Sequence, residues 1–502
     1  MLIVFQISSK TARQRLGQLI IRNMATTTHY DAIIIGSGQG GTPLAKALAS
    51  AKKKTALIER EHIGGCCINE GCTPTKTMIA SGRVAHLIRR GPAYGIHVPG
   101  QTGPMNDFTV SMDKVRQRKR DIVSSFRSGS EKGLEAAGVE IVRGEASFND
   151  ANSLKVLLPD GSHRLLRGEK IVVNVGCRPA PSKLDGLERI RKDRVLDSTS
   201  IQELGELPDH LVVVGGGYVG VEFGQLFARL GSKVTIIQRG AQLLPREDKE
   251  VAAELLDILR DEYLTIYLEA GATSITPSSA ETFNLSVATQ SGSETVTNVT
   301  HLLFAAGRIP NTDHLNTDAV GIELDVKGYI KCNEFLETSV PSIYALGDIK
   351  GPPAFTHISY DDFRVLKVSL FSDSLAHSGP SVKDRLVPYV VYTDPQLAHV
   401  GLHEREAREQ YPQVRIQTAI MPMSYVARAL ETDEPRGMMK AVVNADDGQI
   451  MGFTCLGTEG GELMSIVEVA MIAKLPYWKL QDAVFAHPAF AESLNNLWGF
   501  LK

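Results

Sequence analysis

Residues 31–49 read DAIIIGSGQGGTPLAKALA. An apolar run, a glycine turn and a stretch with small residues facing back predict strand, turn and helix. Gly36, Gly38 and Gly41 fall at the spacing of the G-x-G-x-x-G dinucleotide fingerprint. The first glycine permits the tight turn, the second lets a pyrophosphate approach the backbone, and the third lets the helix lie close on the strand. The phosphate then sits at the helix N-terminus, where free amides and the helix dipole favour an anion. A second strand, 55-TALIE-59, ends on Glu59, 23 residues after Gly36, where a carboxylate accepts ribose hydroxyls.

The unit recurs at 211–240, LVVVGGGYVGVEFGQLFARLGSKVTIIQRG, with Gly215, Gly217 and Gly220 at the same spacing. The chain therefore has two dinucleotide sites. In the second, the position equivalent to Glu59 is Gln238, followed by Arg239. A carboxylate there repels a 2′-phosphate, whereas an amide beside an arginine tolerates one, so this site is expected to take NADPH, with NADH the alternative. A third segment, 338-TSVPSIYALGDIKG-351, reads as a strand delivering Asp348 into a glycine turn. Such an acid suits a ribityl or pyrophosphate group, and equally caps a helix.

Composition narrows the function classes. With 502 residues and 43% apolar content the chain has room for several cored domains. Its 54 basic and 57 acidic residues give a net charge of -3, so no basic field for nucleic acid or an anionic membrane is evident. Apolar runs such as Tyr30 to Ile35 fall far short of the roughly 20 residues a membrane helix needs. Six cysteines are too few for a secreted disulfide scaffold, which favours a reducing, cytoplasmic setting. The first residues carry Lys10, Arg13, Arg15 and Arg22 without an acid, as a mitochondrial presequence would, but Met24 opens a compact alternative start.

Three of the cysteines crowd into 64-GGCCINEGCTPTKT-77. Cys67 and Cys72 are close enough to pair on the first turns of a helix expected near Pro74, where a thiolate is stabilised. A zinc site needs about four ligands, and no second cysteine pair or histidine pair completes one, so no resident metal is expected. A structural disulfide suits a reducing compartment poorly. A redox pair remains, working by thiolate attack through a mixed disulfide. An acid–base partner would assist it, and His487, beside Pro488 and five residues from Glu492, is the candidate, although a lone His-Pro also reads as a surface turn.

Together these segments, with 304-FAAGRIPNTD-313 and 485-FAHPAFAESLNNLW-498, resemble the pyridine nucleotide-disulfide oxidoreductases, flavoenzymes such as dihydrolipoamide dehydrogenase, glutathione reductase and mercuric reductase. The likeness spans residues 30 to 500. It implies an α/β fold with two Rossmann-like domains, for FAD and NAD(P), and a C-terminal α+β dimerisation domain. The expected division is an N-terminal extension (1–29), FAD-binding parts at 30–198 and 306–381, an NAD(P)-binding domain at 199–305 and a dimerisation domain at 382–502. FAD is assigned to Gly36, Gly38, Gly41, Glu59, Lys76 and Asp348, and NAD(P)H to Gly215, Gly217, Tyr218, Gly220, Gln238, Arg239 and Gly307.

The resemblance also implies roles. Cys72 is the flavin-side thiol and Cys67 the exchange thiol; His487, from the other subunit of a homodimer, is the acid–base group oriented by Glu492. Lys76 pairs with Glu222 near the flavin, and Tyr218 gates the nicotinamide pocket. The substrate is a small-molecule disulfide or, alternatively, a soft metal ion, since 355–366 and 421–443 look like mercuric reductases. The C-terminal cysteine pair and N-terminal metal-binding module of those enzymes are absent from the sequence. A third alternative is a non-catalytic redox-sensing subunit. Cys66 stands where relatives usually carry threonine, as an inert small side chain or as a third thiol.

Overall fold

The computed structural model describes residues 27–97, 108–371 and 379–502, so most of the expected N-terminal extension lies outside the described residues. The chain forms two compact units. The first comprises the described parts of Met1–Cys67, Phe126–Arg178 and Ile309–Lys383. Its sheet places the Thr28–Ile35 strand between Thr55–Glu59 and His163–Val173, with parallel pairing on both sides. Glu140–Arg143 extends one edge in parallel, and Ile343–Ala345 pairs with the end of His163–Val173. Successive residues of the first strand enter different cores: Ile33 and Ile35 join Ile58 and Val173, while Ala32 and Ile34 join Leu44, Leu48 and Leu57. Both faces are covered, which is why DAIII reads as a continuous apolar run rather than an alternating one.

The second unit comprises Ile68–Ser125, Pro179–Arg308 and Asp384–Lys502. Its parallel sheet runs Thr265–Tyr267, Lys233–Ile237, His210–Val214, His301–Phe304 and Val195–Leu196. The Tyr218–Leu230 helix that follows the second glycine turn is buried along most of its length. The Cys72–Arg90 helix packs on it, with Gly82 against Leu226. The C-terminal part is a five-stranded antiparallel sheet, Tyr389–Val391, Gln396–Gly401, Ile450–Gly457, Met438–Asn444 and Ile416–Pro422. Its core includes Phe453, Val467, Leu497 and Trp498. A mixed sheet with a parallel centre, whose Glu145–Asp150 and Ser153–Leu157 strands pair antiparallel at one edge, a second parallel sheet and an antiparallel α+β part match the expected fold class. Among the described residues no helix is long and apolar enough to cross a membrane.

The second glycine turn separates packing from vacancy. A Cβ at Gly220 would overlap the Gly215 carbonyl, whereas at Gly217 nothing lies within 4 Å and φ is -81°. Gly220→Ala is therefore expected to lower stability by about 1–3 kcal/mol through overpacking. Gly217→Ala should melt with the wild type in a thermal scan.

Candidate redox and nucleotide site

In the first unit the residues after the Thr28–Ile35 strand close on themselves. Gly36 has φ of 98° and its carbonyl accepts from Asn174 Nδ2 at 3.2 Å. A side chain at Gly36 would strike the Asn174 carbonyl, and one at Gly41 the Gly36 carbonyl. Glu59 Oε2 accepts the Ser37 amide at 3.0 Å and the Ser37 hydroxyl at 2.5 Å. The same hydroxyl accepts the Gly64 amide at 3.0 Å, and Gly65, with φ of 63°, lies against Gly38. The start of the cysteine stretch is thereby packed on the glycine turn. The Gly41–Ser50 helix begins with neither a side-chain cap nor an acid in its first turn. Thr42 donates its amide to the Gly38 carbonyl at 3.1 Å and Pro43 has none, so it is the positive end of the helix dipole that fits the pyrophosphate of FAD.

Asp348 sits half-buried in the Gly347–Lys350 turn after the Ile343–Ala345 strand. That turn is held by Asp362, wholly buried, which accepts the Gly347 amide at 2.8 Å and lies 3.3 Å from Lys350 Nζ. Gly347 also borders the Asn174 side chain, so Asp348 and the glycine turn meet around Asn174.

The second glycine turn repeats this construction with a changed side chain. The Gly216 amide donates to Gln238 Oε1 at 3.0 Å, as Ser37 does to Glu59. Gln238 Nε2 donates to the Gln242 carbonyl at 3.1 Å, while Arg239 beside it is exposed. The Tyr218–Leu230 helix likewise starts with no side-chain cap and no acid in its first turn. With the open space over Gly217 and over Gly307, whose φ is 132°, this is a cradle fitted to a dinucleotide.

The cysteines do not share one helix. Cys66 and Cys67, half-buried, lie on the short Gly65–Asn69 helix, and exposed Cys72 is the first residue of the 19-residue Cys72–Arg90 helix. The helix begins two residues ahead of Pro74, because proline is tolerated in a first turn where its missing N–H is not needed. Cys72 consequently sits at the positive end of a long helix dipole, which favours its thiolate.

One turn further, Lys76 Nζ donates to Glu222 Oε2 at 2.7 Å. Glu222 Oε1 accepts the Tyr392 amide at 2.8 Å, and the Lys76 ammonium lies 5.0 Å from the Tyr392 ring centre. Burial works against the charge on Lys76, but Glu222, with Cys72 and Tyr392, holds its pKa above the ordinary lysine value. Burial raises the Tyr392 phenol pKa.

At the start of the same Tyr218–Leu230 helix, the Tyr218 hydroxyl donates to Glu247 Oε1 at 3.2 Å, and Tyr389 donates to the same oxygen at 2.7 Å. Burial, with the charges of Asp248 and Glu406, pushes the Glu247 carboxyl up to about 7 against these hydrogen bonds. His487 Nδ1 lies 2.9 Å from Glu492 Oε2, and its side chain is 66% exposed in the single chain, leaving the ring open to a substrate or a second subunit. The expected pairs Lys76–Glu222 and His487–Glu492 are thus in contact. Tyr392, Glu247, Tyr389, Asn174 and Asp362 lay outside the sequence reading. Glu247 sits in the charged run 246-REDKE-250, which carries the signature of a solvated turn, and the tyrosines belong to no spacing rule.

The profile described as "Pyridine nucleotide-disulphide oxidoreductase" matches residues 30–362, and its dimerisation domain matches 387–497. The chain belongs to the pyridine nucleotide-disulphide oxidoreductases. As a member it is an oxidoreductase and a flavoprotein using FAD and NAD(P)H, and it carries the family's dimerisation domain. It is 35% identical to the probable pyridine nucleotide-disulfide oxidoreductase RclA of Escherichia coli, over 94% of this chain and 99% of that one. A dihydrolipoyl dehydrogenase of Geobacillus stearothermophilus is 30% identical over 94% of this chain and 96% of its own length. A mercuric reductase of Staphylococcus aureus is 31% identical over 93% and 81%. Among solved structures, the Cu(II) complex of HOCl-induced flavoprotein disulfide reductase RclA from Escherichia coli superposes with a TM-score of 0.83 at 34% identity, covering 95% of this chain and all of that one.

Two stability measurements follow from this geometry. Glu222→Ala would strand the partly exposed Lys76 ammonium and the Tyr392 amide, with an expected loss of about 3 kcal/mol in denaturant unfolding. Glu222→Gln, which keeps an acceptor, should recover part of it. For Glu247, the native state holds its proton up to about pH 7, while the unfolded chain releases it near 4.5. The unfolded state therefore binds fewer protons across that window, and the group's contribution to stability falls as pH rises through it. The thermal midpoint of Glu247→Gln relative to wild type should accordingly climb between pH 5 and pH 8 and level off above.

Proposed function

We propose that this chain is an NAD(P)H:disulfide oxidoreductase that reduces a small-molecule disulfide through Cys67 and Cys72, as a homodimer. The observation that carries the reading is Cys72 at the head of its helix with Lys76 one turn on, tied to Glu222. The balance is NAD(P)H, one proton and RSSR giving NAD(P)+ and two RSH. FAD, when bound, would supply the hydride-accepting chemistry that links NAD(P)H to the Cys67–Cys72 disulfide. Gly36, Gly38, Gly41, Glu59, Lys76 and Asp348 would hold it, and the Lys76 ammonium would offset negative charge nearby. Gly215, Gly217, Tyr218, Gly220 and Gly307 receive the nucleotide, and neutral Gln238 with exposed Arg239 favours the 2′-phosphate of NADPH.

The reduced pair then works by thiol exchange. Cys67 thiolate attacks one sulfur of the substrate, forming a mixed disulfide and expelling the first thiolate. Cys72 thiolate attacks Cys67, closing the internal disulfide and releasing the second. His487 of the partner subunit, oriented by Glu492, takes the thiol proton and returns it to the leaving sulfur.

A second reading, reduction of a soft metal ion by the same pair, is favoured by Cys66 beside Cys67 and by the Cu(II) complex of the RclA relative. A panel of lipoamide, glutathione disulfide, Hg(II) and Cu(II), each with NADH and NADPH, separates the two. Disulfide turnover should fall about 10²–10⁴-fold in His487→Ala and vanish in Cys72→Ser. Metal-dependent NADPH oxidation that survives His487→Ala but not Cys67→Ser would favour the second reading. Gly217→Ala should weaken NADPH binding while leaving FAD in place.

A further inference from the structure

Glu247 is 4% exposed, and its Oε2 has no hydrogen-bond partner among the described residues. A buried carboxylate oxygen left without a donor is costly, and native structures keep few of them. The other oxygen receives two phenols, one from Tyr218, which follows the open Gly217 directly, and one from Tyr389. The two rings stack with centres 5.5 Å apart. Because Tyr389 donates to Glu247, His403 Nε2, 3.2 Å from the Tyr389 oxygen, acts as donor to it. His403 stacks on His399 at 3.8 Å, and burial lowers both imidazole pKa values.

We propose that Glu247 is a positioning residue of the pyridine-nucleotide site: with Tyr389 it latches the Tyr218 hydroxyl, so that moving Tyr218 aside for a nucleotide is coupled to proton uptake at Glu247. The proposal rests on the reading of Tyr218 as the gate of that site. With Glu247 ionised, both phenols donate to it and the ring of Tyr218 is held beside the glycine turn. Displacing the ring removes one of the two donors from a carboxylate that already lacks a partner at its other oxygen, and the charged form becomes harder to keep. The remaining neighbours do not replace the donor. On its own loop Asp248 is committed to Lys440 at 2.9 Å, and Arg246 is exposed. From the Glu404–Gln410 helix, Glu406 adds negative charge and accepts the His403 amide at 3.1 Å. Lys440 is shared among Asp248, Glu250 and Glu404. Since the group titrates at about 7, the coupling falls in a range where it is measurable.

The test is calorimetric titration of the FAD-loaded wild type, Glu247→Gln and Tyr218→Phe with NAD+ and, separately, NADP+, in two buffers of different ionisation enthalpy at pH 6, 7 and 8. Any proton on the 2′-phosphate of NADP+ cancels in the difference between wild type and variant. The wild type should take up a fraction of a proton more than either variant at pH 7. Relative to the variants, its affinity should weaken roughly five- to tenfold from pH 6 to pH 8, the scale of one hydrogen bond to a charged group. In steady-state assays the same dependence should appear in the nucleotide KM rather than in kcat. Equal proton uptake in all three proteins would overturn the proposal while leaving the oxidoreductase reading intact. If Glu247→Gln fails to fold or loses FAD, Tyr218→Phe decides alone, since it keeps the ring and removes only the donor. Absence of nucleotide binding by the wild type would remove the reading of the second glycine turn and the proposal with it.

Discussion

The Glu222 carboxylate joins three parts of the second unit that are far apart in sequence. One oxygen takes the ammonium of Lys76, on the helix that Cys72 opens, and the other takes the backbone amide of Tyr392, just past the Tyr389–Val391 strand. Glu222 itself rides on the helix that begins at the second glycine turn. Only 6% exposed, this carboxylate has each oxygen matched, one by an ion pair and one by an amide, which offsets the cost of burying it. The Cys72–Arg90 helix, the Tyr218–Leu230 helix and the C-terminal sheet are thereby joined through one side chain. The Tyr389–Val391 strand adds a second hold on the same helix, since Tyr389 reaches its first residue through Glu247.

The two glycine turns show how one backbone solution serves different ligands. In each, the side chain at the end of the following strand accepts the amide after the first glycine, Glu59 from Ser37 and Gln238 from Gly216. Either residue type performs that backbone task, so the choice between them is left to the ligand. An acid is compatible with ribose hydroxyls and an amide with a 2′-phosphate. The first turn carries an additional duty, because Ser37 and Gly38 support Gly64 and Gly65, the residues that lead into Cys66 and Cys67.

The fold was legible because its signals are backbone requirements. A positive φ at Gly36 and Gly215, and a helix drawn against the strand at Gly41 and Gly220, leave no alternative residue, and a rule of spacing captures them. The pairs Lys76–Glu222 and His487–Glu492 were legible through resemblance and are in contact here. A helix near Pro74 is present from Cys72, but Cys67 lies on the separate Gly65–Asn69 helix, because proline marks a first turn without saying how far the chain before it is helical. Glu247, Tyr389 and Tyr392 were invisible for a different reason. Their meaning lies in long-range contacts between a turn, a helix start and a distant strand, and an acid within REDKE looks solvated until the chain closes over it.

The central claim is that Cys67 and Cys72, and not Cys66, exchange electrons with the bound cofactors. Differential alkylation with light and heavy reagents, before and after one equivalent of NADPH under anaerobic conditions, tests it residue by residue by mass spectrometry. The account predicts that Cys67 and Cys72 pass together from protected to labelled while Cys66 keeps its initial state. Labelling unchanged by NADPH at both positions, or a change shared equally by Cys66, would contradict it.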